Sequence, residues 1–142
     1  MDLLIKRMDK TLPLPEFQTS GSVAFDLYSR VETIIDPHSI ELIPVNLIIK
    51  VPAGYMLLVA SRSSTPKKKG IMCANSIGVI DQDFCGEEDE IRYAAYNYTA
   101  RSITIPRGER IGQAILVKIE KPNLTETNQM NPESRGGFGS TG

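Results

Sequence analysis

The chain has 142 residues, 41% hydrophobic and 23% charged, which suits one domain with its own core. Sixteen basic and 17 acidic side chains leave a net charge of -1, which excludes the dominant basic face of a duplex-binding protein, so any anion site must be local. No apolar run approaches the ~20 residues of a membrane-spanning helix, and the two cysteines, Cys73 and Cys85, stand in no metal-ligand spacing, so a reduced cytoplasmic chain is expected.

The first ten residues, MDLLIKRMDK, carry charges inside a short apolar stretch and do not read as a signal peptide. Nine prolines leave little room for long helices. The longest interval between them, Pro66 to Pro106, is broken by Gly70, Gly78 and Gly86. Asp36-Pro37-His38-Ser39 reads as a turn. Strands are expected over Leu47 to Val51 and over Tyr55 to Ala60, an unbroken apolar run of the kind covered on both faces. One helical turn fits Ser63 to Lys69. Glu87 to Glu90 reads as an exposed hairpin tip, and Ile91 to Tyr98 as a further strand. Ile103 and Ile105 alternate with Ser102 and Thr104. Ile111, Ile115, Val117 and Ile119 share one strand face, with Gln113 intruding at what reads as a core-facing position. So many short strands suggest a sandwich or jelly roll. After Lys121 the large apolar groups dwindle to Leu124, Met130 and Phe138, and four of the 11 glycines gather in RGGFGSTG. Such a segment is either a frayed tail or an arm that orders on a ligand or a neighbouring subunit.

Five stretches offer complementary chemistry. Arg62 is a planar multi-donor cation suited to phosphate oxygens, and Ser63 and Ser64 add hydroxyl and backbone donors. Gln113 is an amide in an apolar strand. Asp81 ends the apolar stretch Gly78-Val79-Ile80, as a turn residue or as a general base for water. Asp83 shares its face if the strand continues, and reads better as a salt-bridge partner. Asp26, between Phe25 and Leu27, is either a buried hydrogen-bonded carboxylate or an outer-shell metal contact. In the tail, Phe138 offers a ring for stacking and the glycines allow close backbone approach. His38 is the only histidine, which argues against Ser-His-Asp or Cys-His catalysis. The glycine-rich end lacks the lysine of a P-loop, and Lys67 to Lys69 reads as a solvated loop able to steer an anion.

The order, spacing and content of these stretches together resemble the trimeric dUTPase family, over nearly the whole chain. The resemblance implies an all-β, jelly-roll-like barrel of the β-clip type over residues 1–121. It further implies a C-terminal arm, 122–142, that closes over a site of a neighbouring subunit. It implies hydrolysis of dUTP to dUMP and pyrophosphate by a homotrimer, supplying dUMP for dTTP synthesis and keeping uracil out of DNA, with no nucleic acid or membrane as partner. Residue by residue, Asp81 matches the aspartate that activates the water attacking the α-phosphate. Arg62, Ser63, Ser64 and Gln113 match the phosphate binders. Asn75, Gly78, Val79 and Ile80 match the uracil slot, and Phe84 the aromatic under the deoxyribose. Asp26 matches a residue that reaches Mg²⁺ through water, the metal being held mainly by substrate phosphates. Arg135, Phe138, Gly139 and Ser140 match the closing arm. The chain departs from the pattern in carrying Ser64 for a usual Gly, Phe84 for a usual Tyr, a short acidic insertion at Glu87 to Glu90, and a shorter fifth motif before Phe138, which bears on Arg135. The rival reading, dCTP deaminase, shares the Arg62-Ser63-Ser64 form but needs a glutamate where Ala94 stands. A second rival is a non-catalytic nucleotide-binding module.

Overall fold

The structure, a computed structural model, describes residues 1–130, 133, 134, 136 and 139. Its elements in chain order are β1 (Leu4–Arg7), β2 (Phe25–Tyr28), β3 (Thr33–Ile35), β4 (Ile40–Pro44), β5 (Leu47–Lys50), β6 (Tyr55–Ser61), α1 (Thr65–Lys69), β7 (Ile71–Cys73), β8 (Gly78–Ile80), β9 (Arg92–Asn97), β10 (Ile103–Ile105) and β11 (Arg110–Lys118). The strands form a four-stranded sheet β2-β11-β6-β8, a three-stranded sheet β4-β9-β7, and the pairs β1-β5 and β3-β10. Every pairing is antiparallel, so short turns suffice and no crossover helix is needed. The expected strands and the helical turn are present, and His38 sits in its turn at φ 54. Both cysteines are free thiols. No helix among the described residues is long and apolar enough to cross a membrane.

Leu27, Ile43, Ile49, Leu57, Ile71, Ile91, Tyr93 and Ile111 are buried between the sheets. Because side chains alternate along a strand, the core face of the four-stranded sheet carries Phe25 and Leu27, Leu57 and Val59, and Ala114 with Leu116. Its outer face carries Asp26, Met56, Leu58, Ala60, Gln113, Ile115 and Val117.

This reverses the face expected for β11. The pairing with β2 shifts register between Arg110 and Gly112, and the extra residue turns Ile111 inward while 113, 115 and 117 turn outward. Gln113 therefore does not face the core. Tyr55–Ser61 is likewise covered on one face only, with Leu58 and Ala60 half-buried.

The acidic run is a second correction. Glu90 is 7% exposed, so it is no hairpin tip. Its carboxylate takes two hydrogen bonds from Arg30, Nε to Oε1 at 2.7 Å and Nη2 to Oε2 at 2.8 Å, and a third from the backbone N–H of Asn46 at 2.8 Å. Asn46 reaches it from the left-handed region, at φ 69. Only Glu87 and Glu88 behave as a solvated run, and Glu87 pairs with Lys6. From residue 119 to 130 the chain forms no strand or helix, and Leu124 and Met130 are fully open to solvent.

Replacing Arg30 with Met leaves Glu90 buried without its counter-charge. Urea unfolding of Arg30→Met is expected to show a loss of about 3 kcal/mol; a midpoint unchanged from wild type would mean the pair is incidental.

Candidate active site

The chemistry-bearing residues fall at two places, the outer face of the four-stranded sheet and the hairpin that joins it to the three-stranded sheet. At one end of that face, Asp26, Gln113 and Ala60 stand side by side across β2, β11 and β6. Arg62 emerges just beyond β6 and its Nε lies 2.7 Å from Asp26 Oδ1. Arg110 Nη1 lies 3.1 Å from Asp26 Oδ2. Asp26 is 6% exposed, and two guanidiniums on one buried carboxylate leave a net positive corner with their forks held in place. Gln113 Nε2 donates to the Ser61 carbonyl at 3.0 Å, which fixes the amide beside Arg62. Burial, followed by repulsion from Arg62, Arg110 and Lys68, holds the Lys69 ammonium below the usual lysine range, while its contact with Glu109 acts in the opposite sense. The corner keeps a surplus of positive charge over Asp26 and Glu109, although the chain as a whole is nearly neutral.

The loop after Arg62 closes through Thr65 N–H to the Arg62 carbonyl at 3.0 Å. Pro66 in the first turn has no N–H to leave unsatisfied, and Gly70 ends α1 at φ 72. Ser64 caps α1 by position only. Its hydroxyl makes no capping bond, and Ser63 is exposed.

The second place is the hairpin between β7 and β8. Its arms do not pair with each other: β7 pairs with β9, and β8 with β6, so the hairpin is splayed. Ser76 takes φ 63 at its tip, and Ile77 N–H bonds the Asn75 carbonyl at 2.7 Å. The Cys73 thiol donates to Asn75 Oδ1 at 3.1 Å, so the Asn75 amide presents its NH₂ outward. Gly78 lies against β6, where an added Cβ would stand 3.2 Å from Val59 Cβ. Val79 is exposed and Ile80 packs toward the core.

Asp81 follows directly and is exposed. It lines a cavity of about 300 Å³ with Met56, Ile119 and Lys121. Gln82 fixes this turn by donating to the Tyr55 carbonyl at 2.9 Å. The strand stops at Ile80, so Asp83 does not share a strand face with Asp81; it lies in the turn, its carbonyl accepting from Cys85 N–H at 2.9 Å. Phe84 is 39% exposed.

Asp81 and Arg62 are far apart within one chain, although the base of the hairpin lies beside Ser61, whose Oγ accepts Cys73 N–H at 3.0 Å. Ile80 stands opposite Leu57, which puts Asp81 beside Met56, six residues before Arg62. At the rise of an extended strand that separation is about 20 Å. The apolar side chains of Met56, Leu58, Val79, Ile115 and Val117 occupy the interval, half-buried or exposed. Arg135, Phe138 and Ser140 lie outside the described residues, and Gly139 is exposed at φ 92. Among the described residues no group of three or more His, Cys, Asp or Glu could hold a metal. Arg110 was not singled out by its sequence context, whereas Lys69 belongs to the run that reads as anion-steering and proves half-buried and paired with Glu109 rather than solvated. The signal for Arg110 was the demand of a carboxylate between two core residues for more than one counter-charge.

The dUTPase family model matches residues 10–142. The chain belongs to the dUTPase family. It is 34% identical over 144 residues to the deoxyuridine 5'-triphosphate nucleotidohydrolase of Helicobacter pylori, an alignment covering 100% of this chain and 97% of the relative. The dUTPase of Streptococcus mutans superposes with a TM-score of 0.77 at 27% identity, covering 84% of this chain and 98% of that one. The dUTPase of Staphylococcus bacteriophage 80alpha, solved with dUpNHpp, superposes with a TM-score of 0.86 over 99% of this chain and 98% of that one; at 23% identity it shows the shared fold.

Asp26→Asn removes the charge that holds both guanidiniums. Unfolding in urea is expected to show a loss of about 2 kcal/mol with the fold retained, read from the denaturation midpoint and the circular dichroism spectrum.

Proposed function

We propose that the chain hydrolyses dUTP to dUMP and pyrophosphate, as a homotrimer in which each site combines the hairpin half of one copy with the cationic half of another. The observation that carries this is the separation of about 20 Å between Asp81 and Arg62 on one face of one sheet. A single triphosphate cannot be attacked beside Asp81 and gripped by Arg62 of the same chain. A second copy laid on this face supplies its own Arg62 at the Asp81 end. It also covers Leu58, Val79, Ile115 and Val117, at about 2 kcal/mol for each such side chain taken fully out of water, set against the cost of association. The number three rests on the family resemblance.

Within such a site, the hairpin takes the base. Its splayed arms leave the backbone of Gly78, Val79 and Ile80 near the base edge. The Asn75 NH₂, turned outward by the Cys73 thiol, donates to a uracil carbonyl. A cytosine would present an amino group there and oppose donor with donor. Phe84 packs under the deoxyribose. Asp81 accepts a proton from the water that attacks the α-phosphorus. As the new P–O bond forms, the bond to the bridging oxygen breaks and pyrophosphate leaves with the electron pair. Arg62, Gln113 and the hydroxyls of Ser63 and Ser64 bind the phosphate oxygens where that charge develops, with Arg110 adding to the field.

The residues fit Mg²⁺ in one way. Both oxygens of Asp26 already meet Arg62 and Arg110, so Asp26 would not be a direct ligand; it would act on the ion through water, and the phosphates would supply the direct ligands, as suits a hard, water-retaining cation. Bound there, the ion neutralises charge on the triphosphate. The segment 122–142 serves as an arm outside the barrel of residues 1–121, with Arg135, Phe138, Gly139 and Ser140 closing over a neighbour's site. The enzyme's physiological place is the cytoplasm, or the nucleus if the chain is eukaryotic or viral, supplying dUMP and keeping uracil out of DNA. The deaminase alternative lacks its carboxylate, because Ala94 stands in β9 opposite Leu42.

Asp81→Asn is expected to bind dUTP with near wild-type affinity while pyrophosphate release falls at least about a hundredfold; retained turnover would remove Asp81 from the mechanism. Co-expressing Asp81→Asn with Arg62→Ala, each inactive alone, is expected to restore about a quarter of wild-type activity, the share of sites that draw both intact halves from different copies. No recovery would place the whole site in one chain. Excess chelator is expected to suppress pyrophosphate release, and added Mg²⁺ to restore it.

A further inference from the structure

Tyr93 is the largest fully buried side chain of the core, yet it ends in a hydroxyl that meets the functional machinery from behind. That hydroxyl lies 2.7 Å from Ser61 Oγ, either one donating. Ser61 Oγ also accepts the backbone N–H of Cys73 at 3.0 Å, and the Ser61 carbonyl accepts Gln113 Nε2 at 3.0 Å. The Tyr93 ring fills the space over Gly112: an added Cβ there would stand 2.8 and 2.9 Å from ring carbons and 3.1 Å from the Ala60 carbonyl. Tyr93 thus touches Ser61, which precedes Arg62, and Gly112, which precedes Gln113. Through Ser61 it also reaches Cys73, whose thiol aims Asn75. Burial, reinforced by the nearby Cys73 and only partly offset by the bond to Ser61, pushes the phenol up to about 12, so it stays a neutral hydrogen-bonding group wherever the protein is folded.

We infer that Tyr93 is a positioning residue for the site, acting through the Ser61 hydroxyl and the glycine at 112 to hold the phosphate-binding end of β6 and β11 in fixed relation to the base of the uracil hairpin. This rests on the proposed dUTP chemistry and adds to it a residue that touches no substrate. If each site draws its two halves from different copies, Ser61 and Tyr93 join the Arg62 that serves one site to the Asn75 that serves the next. Tyr93 is then a strut between neighbouring sites as well as a core side chain.

The test is steady-state kinetics of dUTP hydrolysis, normalised to folded protein. Tyr93→Phe keeps the ring and removes the hydroxyl. It is expected to lower kcat about tenfold and raise KM severalfold. Thr11→Ala, which removes a hydroxyl bonded to Asp9 in the turn after β1, serves as the control for lost stability and is expected to leave both constants unchanged per folded molecule. A Tyr93→Phe enzyme with kcat and KM within about twofold of wild type would overturn the inference. Steric coupling gives a second reading independent of that variant. Gly112→Ala is expected to be worse than Tyr93→Phe, and Tyr93→Val combined with Gly112→Ala to recover to about the Tyr93→Phe level. Losses that simply multiply would overturn it as well. A wild-type protein that releases no pyrophosphate from dUTP would instead overturn the proposed function and this inference with it, so the two failures are distinguishable.

Discussion

A four-stranded antiparallel sheet has two faces, and in this chain both are used. Strand pleating sends Phe25, Leu27, Leu57, Val59 and Ala114 into the core and, by the same alternation, Asp26, Arg62 and Gln113 out of it. Asp81, one residue past Ile80, leaves on the outer side as well. The site is thus a by-product of register. A slip of one residue in β11 would carry Gln113 into the core and expel Ala114, at the cost of a buried amide without its partner and a lost packing contact. The shift between Arg110 and Gly112 sets that register, and Gly112 tolerates it because Tyr93 needs the room a Cβ would take.

Electrostatics concentrates what composition disperses. A chain with net charge -1 holds a corner where Arg62, Arg110 and Lys69 converge. Asp26 offsets part of this charge and, more to the point, aims it. A bidentate or stacked arginine that is already ordered loses less entropy on meeting a phosphate than a free one. Glu90 with Arg30 is a comparable ion pair of opposite meaning. Its carboxylate is buried and three times hydrogen-bonded, and it ties the acidic insertion before β9 to Arg30 and to the backbone at Asn46.

The all-β character and the strands β5, β6, β8, β9, β10 and β11 could be read from the sequence, because proline spacing, short apolar runs and period-two alternation are local signals. β1 to β4 and β7 are too short or too mixed to stand out, and the family was legible only in the order and content of the motifs. Asp81 stood out as a carboxylate ending an apolar strand and Arg62 as a phosphate-suited cation, while Asn75 was marked only by the family resemblance. What misled were patterns whose meaning depends on distant partners. Ile111, Ile115, Val117 and Ile119 look like one core face, but a bulge divides them. Glu87 to Glu90 looks like a solvated run, but Arg30 is sixty residues away in the chain. Ser61 and Tyr93 carried no signal, since a serine at a strand end and a tyrosine in an apolar strand are commonplace.

Sequence by itself determined which elements form and which side chains could do chemistry, since backbone propensity and residue type are properties of short segments. Only the tertiary structure decided that Asp81 and Arg62 stand at opposite ends of one sheet face, because their separation is set by the pairing of β8 with β6 and not by chain distance. The same pairing left an apolar band between them, which the described residues of one chain leave half-buried or exposed.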